Sequence, residues 1–294
     1  MRRRTEVVTT TWRQLWRRTS AAIADPVQTR WLLEEASGLG GAALLRDLDR
    51  EADPESAARL ESLMQRRLAG EPLQHVLGHW GFRTLDVAVD SRVLVPRPET
   101  ELVVEVALSE LDRLCGLRPA GGLLAVDLGT GSGVIALSLV AERPEVRVVA
   151  TDRDPAALDV AAGNLRTIPA EAAARVQLRR GDWYQALDDD LAGRLDLIVA
   201  NPPYLAEREW SDLDPEVRDF DPFGALVAGP SGLEAIAAIV AGAPAWLGRH
   251  GSVVVEIAPQ QATAALELAN EAGFRETGVA DDLAGRARVL VADR

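Results

Sequence analysis

The chain has 294 residues, 47% of them hydrophobic and 26% charged, which is ordinary globular composition with length for two domains and excludes a disordered or low-complexity chain. Its 45 acidic and 32 basic residues leave a formal charge of −13, which argues against non-specific nucleic-acid binding, since that rests on basic side chains meeting phosphates. One cysteine, Cys115, and three scattered histidines exclude a disulfide framework and a Cys-rich zinc site, and the longest nearly uncharged stretch, Ala235 to Gly248, is broken by Gly242 and Pro244 and is too short to span a bilayer.

Met1 to Arg4 are basic, but Thr5 to Arg18 supply no apolar core or cleavage site for a secretory signal, so the chain is expected to be cytoplasmic. The first 75 or so residues read as helices. Asp25-Pro26 starts one and Gly38 stops it; Asp53-Pro54 starts another, with Leu60, Leu63, Met64 and Leu68 as its apolar stripe and Gly70 as its end. Trp12, Trp16 and Trp31 are expected to pack the core of this small bundle. From Trp80 to Val95 the pattern alternates, with Leu85, Val87 and Val89 on one face, Asp90-Ser91 as a turn and Val93 to Val95 beyond it, which predicts a hairpin joining two domains. Pro96 to Thr100 then lead into a helix from about Glu99 to Cys115. Past Pro119 to Gly122, strand-length runs at Leu123–Leu128, Val146–Thr151, Val176–Arg180, Leu195–Ala200 and Ser252–Ile257 alternate with helical segments. That is the signature of an α/β fold with a mostly parallel sheet covered on both faces. Phe274–Val279 and Ala287–Ala292 add a terminal, antiparallel pair.

Asp127-Leu128-Gly129-Thr130-Gly131-Ser132-Gly133 closes the first strand of this region and opens a helix, a place where glycine lets a ligand approach the backbone. The position that a dinucleotide fingerprint requires to be its third glycine is Val134, and a P-loop requires a lysine that the chain does not contain. What remains suits a ligand without a pyrophosphate, such as S-adenosylmethionine. Asp152, at the end of the second strand, can accept hydrogen bonds from both ribose hydroxyls, or alternatively cap the next helix. Asp182 and Trp183, at the end of the third, can receive the adenine amino group and stack on its ring.

The fourth strand ends in Asn201-Pro202-Pro203-Tyr204. The Asn201 side-chain oxygen and the Pro202 carbonyl can accept the two hydrogens of a planar NH2 group, aim its nitrogen at a methyl group and stabilise the positive charge that grows there. Tyr204 can stack on the flat amide or base. The tetrapeptide does not by itself distinguish glutamine from adenine or guanine.

Taken together, Gly70 to His75, Gly78 to Phe82, Val93 to Leu102, the glycine loop, Asn201 to Tyr204 and the tail Asp282 to Arg288 resemble the PrmC (HemK) family. That family comprises S-adenosylmethionine-dependent methyltransferases acting on the glutamine of the Gly-Gly-Gln motif in bacterial peptide chain release factors. The resemblance implies a seven-stranded, Rossmann-like class I methyltransferase domain over 98–294, preceded by a helical substrate-recognition domain over 1–76 and a β-hairpin linker over 77–97. It implies donor contacts from Asp127, Gly129, Thr130, Gly131, Ser132, Gly133, Asp152, Asp182, Trp183 and Asn201. The glutamine is implied to be held by Asn201, Pro202, Pro203 and Tyr204, with Arg97 and Glu99 as further substrate residues and S-adenosylhomocysteine as product. Pro96-Arg97-Pro98-Glu99-Thr100 resembles this branch rather than the sibling that methylates a ribosomal-protein glutamine; an RNA or DNA amino-methyltransferase and a silent adaptor are the other classes weighed. Asp221 stands where the family more often has glutamate. His75 and His79 lack a third ligand and read as packing residues, no metal is expected, and Asp188 to Asp190 read as a solvated loop.

Overall fold

The computed structural model describes residues 10–117 and 122–294. Arg2 to Arg4 and most of the Pro119 to Gly122 linker lie outside the described residues. The chain divides into two compact units, one ending at Gly78 and one running from His79 to Arg294.

The first unit is helical: α1 (Trp12–Ile23), α2 (Pro26–Ser37), α3 (Gly41–Arg46), α4 (Pro54–Leu68) and α5 (Leu73–Leu77). The sequence signals act as caps. Asp25 accepts from the Val27 and Gln28 amides at 2.8 and 3.0 Å, and Asp53 accepts from Ser56 at 2.8 Å. Gly38 ends α2 in the left-handed region at φ +66°. Trp12, Leu15, Leu32, Leu33, Leu60, Leu63 and Met64 form the core, with Trp16 and Trp31 packed on it. Leu68 departs from its expected place and is 58% exposed; eight residues beyond Leu60, it has rotated about 80° around the helix and off the packed face. The Gly70 to His75 segment is a built turn. Gly70 sits at φ +93°, and Arg66 pairs with Glu71 while donating to the His75 and Val76 carbonyls at 2.8 and 3.1 Å.

The second unit opens with a hairpin, β1 (His79–Phe82) and β2 (Leu85–Ala88), whose turn is Arg83-Thr84. A turn does form at Asp90-Ser91, closed by the Val93 amide donating to the Asp90 carbonyl at 3.1 Å, but the expected strand at Val93 to Val95 does not, so the hairpin turns at Arg83 instead. Arg83 takes the left-handed region at φ +51°, with its guanidinium on both oxygens of Glu142 at 2.6 and 2.8 Å and its amide on Glu101 at 3.0 Å. The Asp90 side chain supports its turn by accepting from the Arg92 amide at 3.0 Å, and Val93 and Val95 are buried without joining a strand.

After α6 (Pro98–Leu117), the chain runs through β3 (Leu123–Leu128), α7 (Val134–Glu142), β4 (Val146–Asp152), α8 (Pro155–Leu165), α9 (Ala170–Ala173), β5 (Val176–Arg180) and β6 (Leu195–Ala200). A short parallel pair, β7 (Leu205–Ala206) with β8 (Val227–Gly229), brackets an excursion containing α10 (Pro215–Arg218) and α11 (Phe223–Leu226); nothing in the alternation of longer runs announces it. Then follow α12 (Glu234–Trp246), β9 (Leu247–Glu256), α13 (Ala262–Glu271), β10 (Glu276–Asp281) and β11 (Ala287–Asp293). The seven-stranded sheet has the order β10-β11-β9-β6-β3-β4-β5. Strands β3, β4, β5, β6 and β9 are parallel, and β11 runs antiparallel to both β9 and β10. One face packs Val103, Val104 and Leu111 of α6 and Leu139 of α7; the other packs Ile236 and Ile239 of α12 and Ala265 of α13. Burial on both sides is why the parallel strands read as unbroken apolar runs. From β3 the chain winds outward to β5 and then returns to β6 on the other side, which leaves a crevice at the carboxyl ends of β3 and β6.

Candidate active site

At the end of β3 the chain turns through Gly129, Gly131 and Gly133, all at positive φ (+75°, +54° and +87°). The Gly129 and Thr130 amides donate to the Thr151 carbonyl at 2.9 and 2.8 Å, tying the loop to β4. Asp127 shapes this loop from beneath. It is fully buried, accepts from the Thr130 hydroxyl at 2.6 Å and the Ala136 amide at 3.2 Å, and has no partner for Oδ1 among the described residues. Burial pushes its carboxyl up to about 7.

A cavity of ≈ 200 Å³ opens above the loop, with Gly129, Thr130, Gly131, Ser132, Asp152, Asp182, Trp183, Asn201, Pro203 and Arg97 on its wall. The strand ends named from sequence therefore meet. Asp127 and Gly133 lie off the wall: Gly133 is packed so that a Cβ would stand 3.4 Å from Ala161. They hold the loop's shape and offer no surface to the cavity.

Asp152 accepts from the Gly131 amide and the Asp154 amide, each at 2.9 Å and each on a different oxygen. The helix-capping role falls to Asp154, which accepts from Ala156 at 2.8 Å. Each Asp152 oxygen thus keeps a lone pair for a ligand, and burial raises its pKa. Asp182 is exposed at the rim and Trp183 half-buried beside it. Trp183 is held at φ +45°, a backbone conformation that side-chain-bearing residues avoid. Its neighbour Tyr184 anchors it, with a ring stacked on Trp246 and a hydroxyl donating to the Ile239 carbonyl at 2.6 Å.

Across the crevice, Asn201 follows β6. Its side-chain amide donates to the Thr100 hydroxyl at 2.9 Å, which donates in turn to Glu256 Oε2 at 2.7 Å. Among the described residues nothing donates to Asn201 Oδ1 or to the Pro202 carbonyl, so neither acceptor is already engaged; Asn201 lies on the cavity wall, whereas Pro202 and Tyr204 lie behind it. Pro202 is buried. Tyr204 is fixed through its backbone, donating to the Leu226 carbonyl at 3.2 Å and accepting from the Gln261 side chain at 2.8 Å. Burial and the nearby Glu256 carboxylate push its phenol up to about 12.

Arg97 lies on the cavity wall and pairs with Asp221 at 2.6 Å. This is the structural task of the aspartate that stands out in the sequence: it ties the excursion to the start of α6. Glu99 turns away from the cavity toward the C-terminal tail, 3.5 Å from Arg288 and 3.8 Å from Arg286. Asp282 clamps the same tail, accepting from Arg286 and Arg288 at 2.8 and 3.3 Å, and these arginines hold its carboxyl well below the usual range. His79 pairs with Asp86, and no metal-holding cluster occurs among the described residues. Sequence reasoning gave Thr100 no role although it closes the Pro96 to Thr100 motif, and it missed Glu256, whose only signal was an acid closing an apolar strand.

Residues 13–78 match the PrmC N-terminal domain and residues 116–213 the methyltransferase small domain. The release factor glutamine methyltransferase of Xylella fastidiosa (strain 9a5c) is 44% identical over 241 residues, covering 81% of this chain and 83% of that one. The protein of the same name from Burkholderia pseudomallei is 40% identical over 266 residues, covering 90% of each. The catalytic domain of hMettl16, solved with a MAT2A 3'UTR hairpin, superposes with a TM-score of 0.52 at 15% identity over 83% of this chain and 84% of that one, a likeness of fold alone. No helix among the described residues is long and apolar enough to cross a membrane.

Proposed function

Because this chain belongs to the family of release factor glutamine methyltransferases, we propose that Asn201 and the Pro202 carbonyl grip the acceptor amide while the loops of β3, β4 and β5 hold the donor. The chain is an S-adenosylmethionine-dependent methyltransferase, and its substrate is a glutamine side chain of a peptide chain release factor. The finer reading is a Gly-Gly-Gln glutamine, in the cytoplasm, without direct nucleic-acid binding; the net charge of −13 supports the last of these.

The residues present fit the donor. Asp152 keeps acceptor capacity on both oxygens for a ribose diol, and a Cβ at Gly131 would meet open space where the ligand's chain would lie. The Trp183 ring is held at the wall by a strained backbone, a cost that a stacking partner explains. When bound, S-adenosylmethionine supplies an electrophilic methyl group on a sulfonium and leaves as S-adenosylhomocysteine.

An amide nitrogen is a poor nucleophile because its lone pair is delocalised. As the bond from nitrogen to carbon forms, that delocalisation is lost, positive charge grows on nitrogen, and its two hydrogens become stronger donors. Asn201 Oδ1 and the Pro202 carbonyl accept those hydrogens, so they bind the transition state more tightly than the ground state. They also fix the nitrogen in line with the methyl group. The surplus proton leaves to solvent after transfer, and no residue needs to act as a strong base beforehand. The observation that carries this reading is the Asn201 side chain, whose NH2 is committed to Thr100 and whose oxygen is left open. Asn201→Ala is expected to lower turnover on a release factor by about 100-fold or more, a larger effect than on S-adenosylhomocysteine affinity; turnover close to that of the unaltered enzyme would refute the assignment.

A further inference from the structure

Asn201 can serve as an acceptor only in one orientation. Turned over, it would present its NH2 to the substrate's NH2, donor facing donor. Its own strand does not decide which way it sits. The decision comes from Thr100, at the start of α6, and Glu256, at the end of β9. The pairing of Ala200 with Val255 puts the residues that follow, Asn201 and Glu256, side by side at the carboxyl edge of the sheet. Thr100 and Glu256 are both almost completely buried, at 2% and 1% exposure, so water does not compete for their hydrogen bonds.

We propose that Thr100 and Glu256 are positioning residues for methyl transfer: the ionised carboxylate sets the direction of the Glu256–Thr100–Asn201 chain and so turns the Asn201 oxygen toward the substrate amide. The logic is one of donors and acceptors. A threonine hydroxyl has a single proton. An ionised Glu256 can only accept, so the proton of Thr100 points to Glu256, Thr100 must accept from its other neighbour, and Asn201 must offer Nδ2. A protonated Glu256 can itself donate to Thr100, which frees the threonine proton to point at Asn201 and permits the inverted amide. The ionised form also polarises the chain in the useful sense, raising electron density on Asn201 Oδ1 as charge grows on the substrate nitrogen.

The surroundings of Glu256 let this chain titrate near neutrality. Burial and the Glu99 carboxylate raise its pKa to about 7, against the Thr100 hydrogen bond and the positive charges of Arg288 on β11 and Arg97 before α6. The Tyr204 phenol, which Glu256 helps to push up to about 12, stays neutral throughout.

This inference rests on the proposed grip of Asn201 on the glutamine amide. Single-turnover methyl transfer from S-adenosylmethionine to a release factor, measured from pH 6 to 8, tests it, with calorimetric binding of S-adenosylhomocysteine as the check on folding. The unaltered enzyme is expected to speed up as pH rises through about 7. Glu256→Gln should be about tenfold slower at pH 8 and flat with pH. Thr100→Val should be slow and flat in the same way, and Thr100→Ser, which keeps the hydroxyl, should recover both rate and profile. A Glu256→Gln enzyme that keeps the rise with pH, a Thr100→Val enzyme as fast as the parent, or a Thr100→Ser enzyme as impaired as Thr100→Val would overturn the proposal. If Asn201→Ala itself transfers normally, it is the underlying grip that fails.

Discussion

Replacing Tyr184 separates the anchoring of Trp183 from Trp183 itself. The Tyr184 ring stacks on Trp246 with centroids 5.9 Å apart and planes 8° apart, and it lies so close over Gly242 that a Cβ there would come within 2.4 Å of it. Truncating an aromatic side chain in such packing costs about 3–5 kcal/mol. At about 2–4 °C per kcal/mol for a unit of this size, Tyr184→Ala should lower Tm by roughly 10 °C. The ring also pins the chain next to Trp183, whose φ of +45° is a left-handed conformation costing about 1–2 kcal/mol for a residue with a Cβ. Once the pin is gone, Trp183 relaxes and the donor has to restore its pose on binding, which weakens affinity about tenfold. Tyr184→Phe keeps the ring and loses only the bond to Ile239, about 1 kcal/mol, so its donor affinity should match the parent's. Thermal denaturation and calorimetric titration with S-adenosylhomocysteine read the two effects separately. An alanine variant that is less stable yet binds with parental affinity would refute the link between Tyr184 and the pose of Trp183.

Trp183→Ala should lower donor affinity without a matching loss of stability, because the ring is only half-buried; unchanged affinity in a titration would exclude stacking. Arg97→Ala takes the guanidinium from the buried Asp221 carboxylate, and with Arg97 itself a third exposed the cost should be about 2–3 kcal/mol in urea unfolding. Adding Asp221→Asn should return most of it, and a double variant no better than Arg97→Ala would show that the pair carries no such weight. Asp127 and Glu256 both have folded-state values of about 7 against ordinary values of 3.8 and 4.5. The folded chain therefore binds more protons than the unfolded one between those limits, and stability should fall as pH rises from 5 to 8. Asp127→Asn should flatten that fall, whereas a Tm that climbs across the range would contradict the burial argument.

The elements that read well in sequence are those whose causes are local. Asp25 and Gly38 bracket α2 because a capping carboxylate and a left-handed residue act on their own helix. The strands β3 and β6 are apolar throughout because helices cover both faces of the sheet. The hairpin turns at Arg83, which carries no turn signal of its own; its left-handed backbone is held by Glu142 and Glu101, which no local pattern reveals. The same limit applies at the site. The glycine loop, Asp152, Trp183 and Asn201 are visible as motifs at strand ends, yet what orients Asn201 comes from Thr100 and Glu256 on other elements, and what engages Arg97 is an aspartate on the excursion beyond β6. Asp127 belongs to the motif by spelling, but its position beneath the loop makes its work structural.

The two halves of the crevice are finished at different points along the chain. The glycine loop and Asp152 are in place by the end of β4, but the pose of Trp183 waits for Ile239 and Trp246 of α12, and the acceptor side waits for Glu256 at the end of β9, with Arg288 of β11 beside it. In a chain made from its N-terminus, the glycine loop that would hold a reactive methyl group therefore precedes both the anchor of its aromatic wall and the carboxylate that aims an oxygen at its target. Competence to transfer is the last property such a chain acquires.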